Sequence, residues 1–227
     1  MSKIVHPYAH RLIILRDWKS RWFADPKKYC EYLKGDVLLR EYLEKKMRGM
    51  YVSSLEIERG EKTTRFIIKT SRPGLIIGRN GEGATKLKED ILKKMEKLKL
   101  KKPEDFKLEI LEIQNPEADA AIVAYMIAEG LEKRMPYRRV MKQIIEKVMS
   151  ARGVEGARIL LSGRLGGAEI ARSEELKKGS IPLQTFRADI DFKRERAVLP
   201  YGTIGVKVWI YRGKIFADKS KKEINNK

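Results

Sequence analysis

Gly78-Arg79-Asn80-Gly81 forms a Gly-x-x-Gly loop, set between an apolar turn beginning at Pro73 and a long basic segment. Two glycines this close adopt backbone angles closed to other residues and leave no side chain in the way, so a polyphosphate strand can lie against the main chain. Ile77, Gly78, Arg79, Asn80 and Gly81 are the candidate contact residues, with Arg79 supplying charge. A helix starting at about Glu82 would aim its unpaired amide groups and positive end at the same loop. A bare Gly-x-x-Gly is also an ordinary turn, so the flanks must decide. The second candidate is Arg138, Arg139 and Lys142. At about 100° per residue, Arg139, Lys142 and Glu146 lie opposite the apolar pairs Val140/Met141, Ile144/Ile145 and Val148/Met149, with Arg138 at the margin. Arg139 and Lys142 are then neighbours about 5–6 Å apart at Cβ, a cationic cluster on a rigid rod. The competing reading is a solvated helix face. Third, Asp189 and Asp191 share a strand face and have the donor type for a divalent metal in nuclease chemistry; the alternative pairs them with Arg187 or nearby lysines. His6 and His10 are four apart, but Pro7 intervenes and no further ligand is evident. Residues 78 to 86 imitate a phosphate-binding loop, yet Ala84 stands where that motif needs its lysine.

The elements that position these groups follow from periodicity. Thr63 to Thr70 is β-branched and aromatic and leads into the loop as a strand. After the loop, Ala84, Leu87, Ile91, Met95 and Leu98 make one apolar stripe, and Phe106 to Ile113 is another strand. Residues 1 to 25 form an arm of cations and aromatics without a long period, ordered either on RNA or on the body of the protein; Trp18 or Trp22 stacks on a base or packs on a core. From Pro26 to Met47 the pattern is helical, with a break expected at Gly35-Asp36, where Asp36 caps a helix carrying Val37, Leu39, Leu43 and Met47 inward. Val52 to Glu58 is a strand. Asn115-Pro116 marks a boundary, followed by helices at about 117–133 and 137–151. Strands are expected at 157–162, 186–192 and 205–211, the second with Phe186, Ala188, Ile190 and Phe192 on one face. The glycine- and arginine-rich segment 163–174 reads as a contact loop, with Arg164, Gly166, Gly167 and Arg172 as its candidates. Lys93, Lys94, Lys97, Lys99, Lys101 and Lys102 form a run that grips RNA or is merely solvated.

The chain has 227 residues, with Lys+Arg 50 against Asp+Glu 31 and a formal charge of +19. Length sets an expectation of two domains of about 100 residues each, and the charge points to a polyanionic partner, nucleic acid before membrane. No apolar run approaches the ~20 residues of a membrane span, the first residues lack a signal-peptide core, and a cytosolic location is expected. Cys30 is the only cysteine, which excludes an internal disulfide or a multi-cysteine zinc site; it reads as a small buried hydrophobe.

Strand, short helix, Gly-x-x-Gly, helix, strand is the order of a KH module, and Leu75 to Gly81 resembles its signature. A helix and strand ahead of that core resemble the second, prokaryotic KH type. Over residues 3 to 217 the chain resembles the family of the third ribosomal protein of the bacterial small subunit. Four groups of residues carry this: Arg16 to Phe23; the glycine loop; Tyr137 to Gln143; and Ser162 to Arg172 with Arg187 to Asp191 and Ile204 to Tyr211. The expected class is therefore α+β in two domains: an arm at 1–25, a type II KH domain at 26–114, a domain of two helices on a three-stranded sheet at 115–217, and a Lys-rich tail at 218–227. The resemblance implies binding to small-subunit rRNA in the subunit head, contact with neighbouring head proteins, a place at the mRNA entry channel, no cofactor and no enzymatic activity. It further implies that Arg138, Arg139 and Lys142 face incoming mRNA and support its unwinding. The chain departs from the family where His6 to Leu12 lacks a glycine between proline and arginine, and where Glu175-Leu176-Lys177-Lys178 replaces an aromatic pair. The rival functions are a free-standing KH protein, such as an RNA chaperone or transcription factor, and a metal-dependent nuclease.

Overall fold

The computed structural model describes residues 5–60, 63–98 and 105–215. Among the described residues six α-helices and eight strands follow one another as α1 (Pro7–His10), β1 (Ser20–Arg21), α2 (Pro26–Lys46), β2 (Val52–Arg59), β3 (Thr63–Thr70), α3 (Pro73–Ile77), α4 (Glu82–Lys97), β4 (Asp105–Glu112), α5 (Ala120–Glu132), α6 (Tyr137–Ser150), β5 (Gly156–Gly163), β6 (Arg172–Gly179), β7 (Ala188–Leu199) and β8 (Gly202–Lys214). The expected carboxy-terminal tail and Lys99, Lys101 and Lys102 lie outside the described residues.

The first sheet has the order β1-β2-β3-β4. β2 and β3 are an antiparallel pair, whereas β4 runs parallel to β3, with Phe66 opposite Leu108. A parallel neighbour needs a crossover, and α3, the glycine loop and α4 provide it. Leu39, Leu43 and Met47 of the α2 side and Leu87, Ile91 and Met95 of α4 bury against Leu55, Ile57, Phe66, Ile68 and Phe106. The other face of this sheet is charged. Arg21 bonds Glu56 and Glu58, and Lys69 bonds Glu56. Burial pushes the Glu56 carboxyl up, but Lys69 and Arg21 outweigh it and hold it below its ordinary value near 4.5. A carboxylate with a lowered folded value stabilises the fold above its unfolded value, and that contribution is lost as pH falls through the folded one. Glu56→Gln is therefore expected to flatten the acid limb of melting temperature measured from pH 3 to 7.

The second sheet has the order β6-β5-β8-β7, antiparallel throughout. One face packs on α5 and α6 through Ile127, Leu131, Val140, Met141, Ile145 and Val148. The opposite face carries a smaller cluster of Ala188, Ile190, Phe192, Trp209 and Tyr211. The α+β class and two-domain organisation are as expected, but this sheet has four strands, not three. The additional strand, β6, holds Arg172 to Gly179, so the segment read as a contact loop ends in an edge strand. Its side chains are mostly exposed and charged, as suits an edge protected from further pairing, and no apolar alternation announces it.

Other expectations fail for tertiary reasons. Asp36 does not cap a helix: α2 runs through Gly35-Asp36 unbroken. The Asp36 carboxylate is buried, accepts from Trp22 Nε1 at 2.8 Å and Arg59 Nε at 3.0 Å, and so anchors the helix from its side. Val37 points to solvent instead of inward, and Cys30 is exposed. Phe186 precedes β7 and stacks on His10, with ring centroids 5.1 Å apart.

The arm is ordered on the body. His6 meets Phe192 edge-on at 4.7 Å, Arg16 pairs with Asp189 at 2.6 Å, and β1 then adds to β2 of the first sheet. The arm thus spans both sheets. Among the described residues no helix is long and apolar enough to cross a membrane.

Candidate nucleic-acid interface

The glycine loop is built as its composition demands. α3 ends as Gly78 N–H bonds Gly74 O at 3.0 Å. Gly78 then takes φ 70°, ψ −172°, Asn80 φ 52° and Gly81 φ 80°, conformations open to glycine and, in the left-handed region, to asparagine. Arg79 and Asn80 are exposed. No side chain caps the start of α4 at Gly81; the Glu82 N–H bonds Arg79 O, and the positive end of the helix still faces the loop. Ile76 is buried in the core; the apolar surface beside the loop comes from Leu75 and Ile77, 54% and 38% exposed. Of Ile76 and Ile77, then, only Ile77 can meet a base.

Gly83 is a structural position of the loop that the motif did not disclose. A Cβ there would lie 2.6 Å from Ile76 O and 2.9 Å from Ile77 O, main-chain atoms that cannot swing away. The missing side chain lets α4 approach α3 and so sets the loop's width. Gly83→Ala is expected to destabilise the fold by about 1–3 kcal/mol, the range for overpacking. Gly81→Asn, at a left-handed position with open space around it, should be nearly neutral; urea-unfolding midpoints at constant slope compare the two.

On α6 the buried stripe leaves Arg138, Arg139 and Lys142 on the solvent side, all exposed. Arg138 differs from its neighbours: its guanidinium reaches Glu174 of β6 at 2.9 Å, and Tyr137 OH donates to the same carboxylate at 3.0 Å. Glu174 raises the pKa of Arg138, and Arg138 holds the Glu174 carboxyl below the usual range. Among the described residues, neither Arg139 nor Lys142 forms an ion pair. Just upstream, Arg134 sits at φ 60° after α5, with Met135 N–H bonded to Gly130 O and its own N–H to Leu131 O. This helix-ending turn ordinarily uses glycine. An arginine there adds charge beside the cluster at a backbone cost, a feature no periodicity reveals.

Of the four candidates in the segment after β5, Gly166 (φ 67°) and Gly167 (φ 84°) shape a tight turn. Arg164 braces that turn, donating to Ala168 O at 2.8 Å and Tyr201 O at 3.3 Å. Arg172 is exposed at the start of β6. Asp189 and Asp191 are held by arginines, though not by Arg187. Asp189 bonds Arg16, while Asp191 accepts from Arg212 at 2.9 Å and from Ala120 N–H, at the start of α5, at 3.0 Å. Among the described residues no group of three His, Cys, Asp or Glu could hold a metal.

Comparison with known proteins agrees with the architecture of a KH domain followed by a second domain. Residues 38–118 match the family model described as KH domain, and residues 127–210 the model of ribosomal protein S3, C-terminal domain. The chain is 43% identical over 227 residues to small ribosomal subunit protein uS3 of Clostridium botulinum, covering 100% of this chain and 98% of the relative. It is 46% identical over 220 residues to the uS3 protein of Caldicellulosiruptor bescii, covering 97% and 96%. With the uS3 protein of Pseudomonas aeruginosa the identity is 43% over 219 residues, covering 96% and 92%.

Proposed function

Because the chain belongs to the family of small ribosomal subunit protein uS3, we propose that it is a structural constituent of the small-subunit head. There it binds rRNA, touches neighbouring head proteins and lines the path by which mRNA enters. In this reading residues 26–114 act as the KH unit and 115–217 as the second domain. Residues Ile77 to Gly81 clamp an rRNA strand, with Leu75 and Ile77 beside the loop to receive an unpaired base. Arg172 and the turn of Gly166 and Gly167, braced by Arg164, meet rRNA or a head protein.

The observation that carries the mRNA role is α6. Its apolar side is locked in the second core, so the backbone positions from which Arg138, Arg139 and Lys142 project to solvent are fixed. Fixed cations neutralise phosphates without reading bases. The ribosome pulls the message, and cations that hold separated strands lower the barrier to opening a duplex ahead of it. The work is binding, with no covalent step.

Sedimentation of the tagged chain through sucrose at moderate and high salt tests the assignment. Near one-to-one recovery with the small subunit at both salts is expected. Recovery near the top of the gradient on mixed RNAs, lost at high salt, would favour a free-standing KH protein.

A further inference from the structure

A cleft of about 840 Å³ opens between the charged face of the first sheet, the arm and β7. Its carboxylates are already engaged: Asp17 with Arg21, Glu56 with Lys69 and Arg21, Asp191 with Arg212. Asp119 accepts from Ser53 and from the amides of Ala121 and Ile122. Lys19, Arg152, Lys193 and Arg194 also line the cleft, and among the described residues none of them has a carboxylate bonded to it. Lys19 rests over the Tyr8 ring at 5.2 Å and Arg194 over Phe192 at 5.4 Å. These contacts fix the direction of each charge without cancelling it.

Lys19 and His6 are shifted first by burial and then by this surplus. Burial lowers the pKa of Lys19, and Lys193 and Arg40 lower it further against the pull of Asp191 and Glu44. Burial, then Arg194 and Lys19, also push His6 down. Like charges held together in a cleft focus a positive potential. At its rim, Trp18 is 55% exposed, whereas Trp22 is committed to Tyr29, Tyr32 and Asp36. Among the described residues no ring or cation stacks on the Trp18 indole.

We propose that this cleft is a second RNA site, separate from the glycine loop and from α6, which takes one or two unpaired nucleotides. Their phosphates lie on Lys19, Lys193 and Arg194 and a base stacks on Trp18. The uncommitted indole beside the cations favours RNA over an acidic protein segment, which would use the charge and not the ring. Sequence specificity is not expected, since phosphate contact and stacking tolerate every base.

The test uses the full chain carrying Arg79→Ala, Arg138→Ala, Arg139→Ala and Lys142→Ala, so that the other two surfaces are weakened, with fluorescein-labelled decauridylate as probe. Adding Lys19→Ala, Lys193→Ala and Arg194→Ala should flatten the log–log salt dependence by about 2 further units, roughly 0.7 per cation. Trp18→Ala should weaken binding about tenfold or more, with Trp18→Phe retaining most of it. Lys193→Gln and Trp18→Ala, each a single exposed or half-buried change, decide the matter if the triple addition unfolds the chain. Unchanged slope and affinity would overturn the proposal. So would labelled decaglutamate binding as tightly with the same response to Trp18→Ala, which would mark a site for an acidic protein segment.

Discussion

Replacing Arg138, Arg139 and Lys142 together by alanine is expected to flatten the log–log salt dependence of single-stranded RNA binding by about 2 units, at roughly 0.7 per cation removed. The same variant should keep its fold, because all three side chains are exposed and substitutions of that kind usually stay within about 0.5 kcal/mol. Loss of salt sensitivity without loss of stability separates a binding surface from a structural one. Within the cluster the three residues are not equivalent. Arg138 shares its charge with Glu174, so an incoming phosphate competes with that carboxylate. Glu174→Gln should therefore steepen the salt dependence and tighten binding, the opposite sign from the arginine variants. Fluorescence anisotropy across a salt series reads both. An unchanged slope in the triple variant would remove α6 from the message path and leave it as a solvated helix.

Arg11→Ala should have the largest effect on stability, about 3–5 kcal/mol, because several carbonyl acceptors are left unpaired at about 1–3 kcal/mol for each that is buried. Arg11 is 1% exposed, and its guanidinium serves four carbonyls. Nε donates to Ala188 O at 2.6 Å, Nη1 to Pro7 O at 3.0 Å, and Nη2 to Leu183 O at 3.1 Å and Thr185 O at 3.0 Å. Each acceptor loses a charge-assisted bond on truncation, and water has no easy route to replace it. Arg11→Lys should recover little, since one ammonium cannot match four carbonyls spread around a planar fork. The urea midpoint should fall in both variants. Because a domain's total stability is about 5–15 kcal/mol, Arg11→Ala is also expected to loosen the arm, and faster proteolysis near residues 12–19 would report it. A midpoint within error of the parent would mean the arm is dispensable to the fold.

Residue types alone reveal what repeats locally. Strand β3, the Gly-x-x-Gly turn and the stripe Leu87, Ile91 and Met95 were legible because backbone sterics act within a few residues and burial imposes periods of about 2 and 3.6. The exposed cations of α6 were legible by the same rule, since naming the buried face names the free one. The remaining features arise from contacts between distant elements. Gly35 reads as a helix break at a cost of about 1 kcal/mol, yet α2 passes through it because Asp36 is met by Trp22 and Arg59 from other elements. β6 has no strand pattern of its own and exists because β5 offers it an edge. Arg11 looks like one more basic residue of a polar arm, and its acceptor Ala188 lies 177 residues away. The cleft between the sheets likewise exists only once the arm has bridged them. Pairings at such separations leave no local period, because they depend on which surfaces meet after the elements have formed.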